Sequence, residues 1–193
     1  CFLLSQGTHV CDVAILYPTE TMQAIPGSNP GATFTVSENL SSHGIDYDFI
    51  DYKSLQRSEL RGQSLFNPVS GESYRVLVLA DAKAMHRETR QKIEEFRRAG
   101  GTVLEDTTGI AVRDRLNTDF RSSGGGGRVL HRRIGQRDVY MIMNVAKGDT
   151  LYFRSRGKAE IWDAMDGSVK ETPVLSSDSE GSALIYDGED GNS

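Results

Sequence analysis

From Tyr74 to Leu104 the chain passes from an apolar run through a mixed segment to a second apolar run. Val76, Leu77, Val78 and Leu79 are four apolar residues in succession, the pattern of a strand covered on both faces. Between 86 and 99 the sequence is polar, but Met85, Ile93 and Phe96 share roughly one helical face. Arg97 and Arg98 stand where the helix dipole favours cations, and Gly100 where a helix end takes positive φ. Thr102 to Leu104 is the second apolar run. Strand, helix and strand predict a right-handed βαβ unit.

The same pattern extends upstream. Asp12–Tyr17 predicts a first buried strand and Tyr47–Tyr52 a second, more polar one. Pro18 breaks the first, Pro26–Gly31 is a turn-rich loop, and Thr35 or Ser37 is expected to cap a short helix carrying Leu40. Ser54–Arg61 predicts a short helical turn, Gln63–Phe66 an edge strand or turn. This alternation predicts an α/β fold over residues 1–121: a flavodoxin-like doubly wound parallel sheet with strand order 2-1-3-4.

Beyond Ser122 the pattern changes. Residues 122–128 are Gly-rich and predict a flexible linker. Val129–Arg133, Asp138–Asn144, Thr150–Arg154, Ala159–Trp162 and Val169–Val174 then alternate with period two. They predict a small antiparallel β piece over 129–186, part of a β-sandwich, with hairpin turns at Gly135, Gly148, Gly157 and Gly167. The acidic, Gly-rich residues 187–193 predict a disordered tail.

Charge alters the picture little. The net charge of -5 is spread along the chain, which argues against nucleic acid as partner. No apolar run approaches the roughly 20 residues of a membrane helix, so no membrane partner is expected. Cys1 and Cys11 and the 4 histidines show no metal-ligand spacing, so neither metal nor other cofactor is expected. Cys11 reads as a buried free thiol, with a Cys1–Cys11 disulfide left open. The opening residues 1–7 look like the end of a helix, as in an excised piece of a longer protein.

Ligands of open α/β sheets gather at the carboxyl ends of the strands, here Tyr17, Asp51, Asp81, Glu105 and Asp106. These carboxylates could serve as acid and base, though helix capping accounts for such positions more simply. His86 is expected in a first helical turn facing solvent, His9 and His43 in loops without partners, and His131 on a polar strand face. Trp162 precedes a tight Asp-Gly turn; it either stacks on sugar or, the weightier reading, packs into a sandwich core. Tyr17, Asp81 and Trp162 are the ligand-binding candidates, and no catalytic residue is assigned.

Residues 12–17, 44–51, 74–81 and 98–104, in that order, resemble the class I glutamine-amidotransferase-like domain embedded in large glycoside hydrolases. Asp138–Asn144 and Ala159–Gly167 are similar to the β-sandwich that follows it in family 106, the α-L-rhamnosidases. The resemblance covers roughly residues 3–175. It implies a nucleophilic Cys just after Thr102–Leu104, where this chain has Glu105-Asp106-Thr107, so glutaminase chemistry is expected to be lost. It also implies that catalytic carboxylates sit in a preceding barrel domain. The implied role is then a non-catalytic accessory region whose partner is that barrel or a neighbouring subunit, in a bacterial periplasmic or secreted enzyme. Two alternatives remain: a hydrolase using Asp81 or Glu105 with His86, and a carbohydrate-binding module using Trp162 and Tyr152.

Overall fold

The computed structural model describes residues 2–163 and 166–187. The first half runs β1 (Thr8–His9), β2 (Val13–Leu16), α1 (Thr19–Ala24), α2 (Gly31–Ser42), β3 (Tyr47–Ile50), α3 (Tyr52–Arg57), β4 (Glu59–Arg61), β5 (Ser64–Phe66), β6 (Ser73–Tyr74), β7 (Val76–Val78), α4 (Arg87–Arg98), β8 (Thr102–Leu104) and α5 (Ile110–Arg115). The second half is all strand: β9 (Phe120–Ser122), β10 (Arg128–Ile134), β11 (Arg137–Met143), β12 (Thr150–Phe153), β13 (Ala159–Trp162), β14 (Val169–Thr172), β15 (Ser176–Ser177) and β16 (Ser182–Ile185).

One sheet is parallel, in the order β3-β2-β7-β8. Its two central strands, β2 and β7, are apolar throughout because successive side chains leave opposite faces and both faces are covered. Val13, Ile15, Val76 and Val78 pack with Val36 and Leu40 of α2 and Val112 of α5. Ala14, Leu16, Leu77 and Leu79 pack with Leu55 of α3 and with Ile93 and Phe96 of α4. α4 ends as its sequence suggests, with Gly100 at φ 88°. At Gly101 a Cβ would stand 2.0 Å from the Phe96 ring, so only glycine lets that ring lie against the turn.

The flavodoxin-like, doubly wound description of residues 1–121 reaches beyond what the sheets display. Among the described residues this is the only parallel sheet, and the other four are antiparallel. Residues 59–74 form one of these, β4-β5-β6. β1 leaves the first half altogether and pairs with β10, Thr8 opposite Arg133 and His9 opposite Arg132.

Other expectations need correcting. α2 begins at Gly31, whose N–H donates to the Asn29 side chain at 2.8 Å. Thr35 and Ser37 lie inside that helix and donate to the carbonyls of Gly31 and Phe34 instead of capping it. Ser122–Gly127 is no free linker: the Asp149 carboxylate accepts from Ser122 Oγ at 2.7 Å, and β9 pairs with β12. The turn at Gly135 does close the β10–β11 hairpin. Gly148 and Gly157 do not close hairpins, because β11, β12 and β13 belong to three different sheets. The turn at Gly167 joins β13 to β14, although Ala164 and Met165 lie outside the described residues, as do Cys1 and 188–193 of the expected tail. A third core of Phe120, Val145, Leu151 and Leu184 underlies the second half.

Candidate functional site

The carboxyl ends of the parallel strands bring Tyr17, Asp51, Asp81, Glu105 and Asp106 to one edge. Asp51 accepts from Ser54 N and Ser54 Oγ, both at 2.9 Å, and so caps α3. Asp106 accepts from Thr108 N at 2.8 Å and Ala111 N at 3.0 Å, holding the entry to α5. Both carboxyls are held below the ordinary range; burial acts the other way, and the donated hydrogen bonds outweigh it. Asp81 sits at φ 58°, an uncommon conformation for a residue with a Cβ, and pairs with Lys83 at 2.7 Å. Glu105 is 78% exposed and 3.7 Å from Arg97.

Sequence reasoning missed the most committed carboxylate of this edge. Glu20 in α1 is buried and caps α4 from outside: it accepts from His86 N at 3.1 Å and Thr89 Oγ1 at 3.0 Å. His86 Nδ1 lies 2.6 Å from the same carboxylate. His86 is exposed, but it pairs with Glu20 and stands edge-on to Tyr52, not beside Asp81 or Glu105. Tyr17 belongs to an aromatic cluster instead. Its ring lies 6.3 Å from Phe34 and 6.1 Å from Phe49, and Tyr47 is 5.5 Å from Phe49, all edge-to-face. Phe34 and Phe49 are 50% and 43% exposed, and Phe49 stands on the open-edge strand β3.

The amino ends of the same strands hold a second polar cluster. His9 is buried between two carboxylates, with Nε2 2.6 Å from Asp46 and Nδ1 3.0 Å from Asp48. Burial alone would lower its pKa, but the hydrogen bonds and charges of Asp46 and Asp48 hold it up at about 10. Cys11 Sγ donates to Asp48 at 3.3 Å, and Tyr74 OH donates to Asp48 at 3.0 Å. Burial and then the Asp48 charge push both the thiol and the phenol upward. Further along, Asp12 takes a two-pronged contact from Arg75, at 2.9 and 2.7 Å, and one from Arg154 at 2.7 Å. Arg154 also reaches Asp119 at 3.1 Å. Asp119 meets His131 Nδ1 at 2.7 Å, Asp138 meets its Nε2 at 2.8 Å, and Tyr140 stacks on its ring at 4.0 Å.

The family model for alpha-L-rhamnosidase, glycoside hydrolase 106, matches residues 1–110, more than half of the chain. The chain belongs to glycoside hydrolase family 106. No curated protein matches it. Among solved structures, the rhamnosidase from Novosphingobium sp. PP1Y is similar over 97% of this chain, at 18% identity and a TM-score of 0.67. The family-106 chain spans 22% of that rhamnosidase, and the likeness concerns the fold. Gan42B, a GH42 beta-galactosidase, aligns over 93% of this chain and 39% of its own, at 13% identity and a TM-score of 0.47.

The third candidate of the family-106 chain, Trp162, stands in a different sheet from the strands that precede Tyr17 and Asp81. Trp162 is 54% exposed on the β13–β14 ribbon opposite Val169, with Nε1 donating to Glu160 at 3.2 Å. The expectation of a core tryptophan is therefore wrong: Trp162 is half exposed, while Ala159, on the other face of the same strand, packs on the third core. Tyr152 lies in a different sheet, its ring covered by the Arg121 guanidinium at 4.0 Å. His9, expected in a loop without partners, and His131, expected on a polar strand face, are each clamped by two aspartates. His43 likewise has partners, the Asn39 carbonyl at 2.8 Å and Arg113 at 2.9 Å. One signal was available for His131. The Gly135 turn pairs Ile134 with Arg137, and counting back sets His131 opposite Tyr140 and Arg133 opposite Asp138.

Proposed function

We propose that this chain is a non-catalytic accessory region of a larger α-L-rhamnosidase-like glycoside hydrolase. The observation that carries this reading is the engagement of four carboxylates at the carboxyl edge of the parallel sheet, whereas Glu105 there is largely exposed. Glu20, Asp51 and Asp106 each cap a helix, and Asp81 is neutralised by Lys83. Glycoside hydrolysis needs two carboxyls facing each other across a sugar, about 5–10 Å apart in an open cleft. Carboxylates already accepting backbone N–H groups are poor candidates for proton transfer. The amidotransferase-like reading of the parallel sheet fits the same role. After β8 it offers Glu105, Asp106 as a cap, and Thr107, so no thiol stands there to attack a carboxamide.

The partner we propose is the preceding barrel domain or a neighbouring subunit of the parent enzyme. The exposed rings of Phe34 and Phe49, beside the unpaired edge of β3, supply apolar surface for such packing. Assayed alone on aryl α-L-rhamnosides, the chain is expected to give no turnover above buffer. Hydrolysis abolished by Glu20→Gln or Asp81→Asn would overturn the proposal.

A second reading, sugar binding at Trp162, is favoured by that side chain's exposure. Titration with rhamnose-containing oligosaccharides should then shift the fluorescence of this single tryptophan, and Trp162→Ala should cost less than about 0.5 kcal/mol of stability, as is usual for surface positions. An unchanged spectrum at millimolar sugar would exclude it.

A further inference from the structure

We propose that His9, Cys11 and Asp48 form a binding site for one divalent transition-metal ion of the zinc class. An imidazole nitrogen, the thiol sulfur and a carboxylate oxygen lie within 4.8 Å of one another. His9 Nδ1 is 3.0 Å from Asp48 Oδ1, and Cys11 Sγ is 3.3 Å from Asp48 Oδ2. Tetrahedral zinc, with bonds of about 2.0–2.3 Å to N, O and S, separates its donors by a little over 3 Å. The donor set is selective: thiolate and imidazole suit zinc, cobalt or nickel and are poor ligands for magnesium or calcium.

The surroundings match those of a metal ligand. Asp46 Oδ2 stands 2.6 Å from His9 Nε2, the carboxylate–histidine pairing that orients a ligating imidazole through its far nitrogen. Tyr74 OH lies 3.0 Å from Asp48 Oδ2 and 2.9 Å from Glu72 Oε2, and its single proton, donated to Asp48, fixes the ligating carboxylate from the other side. His9 and Cys11 are buried at 7% and 4% exposure, so neither relaxes freely into solvent.

Charge balances. With His9 protonated and Cys11 a thiol, the two side chains and the two aspartates sum to −1. A divalent ion displacing the His9 Nδ1 proton and the Cys11 thiol proton leaves −1 again. Two protons go to solvent, no electron moves, and water completes the coordination. The site would be structural, tying β1 to β3 of the parallel sheet and so one half of the chain to the other.

The test uses the full chain carrying Cys1→Ser, so that Cys11 is the only thiol, stripped of metal and titrated with Co2+. The expected result is one cobalt per chain, a thiolate-to-cobalt charge-transfer band in the near ultraviolet, two protons released per metal in weakly buffered solution, and displacement by Zn2+. Adding Cys11→Ser should abolish the band, and His9→Gln should weaken cobalt binding at least tenfold. No band in the Cys1→Ser chain would overturn the proposal, as would a band undiminished by Cys11→Ser. Because the Cys1→Ser chain alone decides the first outcome, misfolding of a ligand variant cannot shield the proposal.

Discussion

Replacing His131 with alanine is expected to lower the unfolding free energy by about 2–4 kcal/mol, since polar partners in a part-buried cluster are left unpaired and a buried ring is lost. His131 is 2% exposed, with Asp119 at 2.7 Å and Asp138 at 2.8 Å on its two ring nitrogens. Those aspartates are themselves 14% and 19% exposed. Truncation strips one polar partner from each of these part-buried carboxylates. It also removes the ring stacked on Tyr140 at 4.0 Å, and with it packing across β10 and β11. Some charge compensation survives, since Arg154 still reaches Asp119 and Arg133 still reaches Asp138. Equilibrium urea unfolding measures the loss. His131→Gln, which retains donors, should lose less than alanine. A deficit below about 1 kcal/mol for alanine would mean that the aspartates are satisfied without the ring, contrary to the cost of unpaired buried polar groups.

This clamp was largely invisible in the sequence, and the reason is physical. Runs and periods record how a residue meets its own strand or helix. Val76–Leu79 announces a covered strand because four neighbours lose water together, and Ile93 with Phe96 announces a helix because both meet one surface. His9 meets Asp46 and Asp48 only because β1, paired to β10, comes to lie beside the start of β3, and His131 meets Asp119 because two different sheets converge. No local pattern encodes such meetings. Edge carboxylates were easier: capping is local, so Asp51 and Asp106 could be read as caps from position alone, whereas Glu20 caps a helix that begins 67 residues later in the chain. Trp162 shows the opposite error. Its bulk suggests a core, but the face of β13 that packs inward carries Ala159, and Trp162 points to the opposite, exposed one.

Asp12→Asn should cost about 2–3 kcal/mol at neutral pH, and the cost should vanish in acid. Asp12 binds Arg75 and Arg154 together, with charge-assisted bonds of 2.7–2.9 Å. Arg75 is 47% exposed and Arg154 33%, so solvent screens part of the attraction and the effect falls below that of a fully buried pair. Burial raises the Asp12 pKa, but the two arginines more than reverse this and hold the carboxyl below its ordinary 3.8. A carboxyl depressed in the folded state is protonated more readily when unfolded. Its contribution is therefore complete above pH 3.8 and is lost as pH falls through the folded value. Urea midpoints of the native chain and of Asp12→Asn should differ most near pH 7 and converge as pH falls through the folded-state pKa, below 3.8, where aspartic acid and asparagine carry the same charge. A gap that stayed constant with pH would place the cost in packing rather than in charge. Because Arg154 links Asp12 to Asp119, and Asp119 to His131, the double variant Asp12→Asn with His131→Ala should lose less than the sum of the two singles. Strict additivity would mean that the arginine does not couple the two halves of the chain.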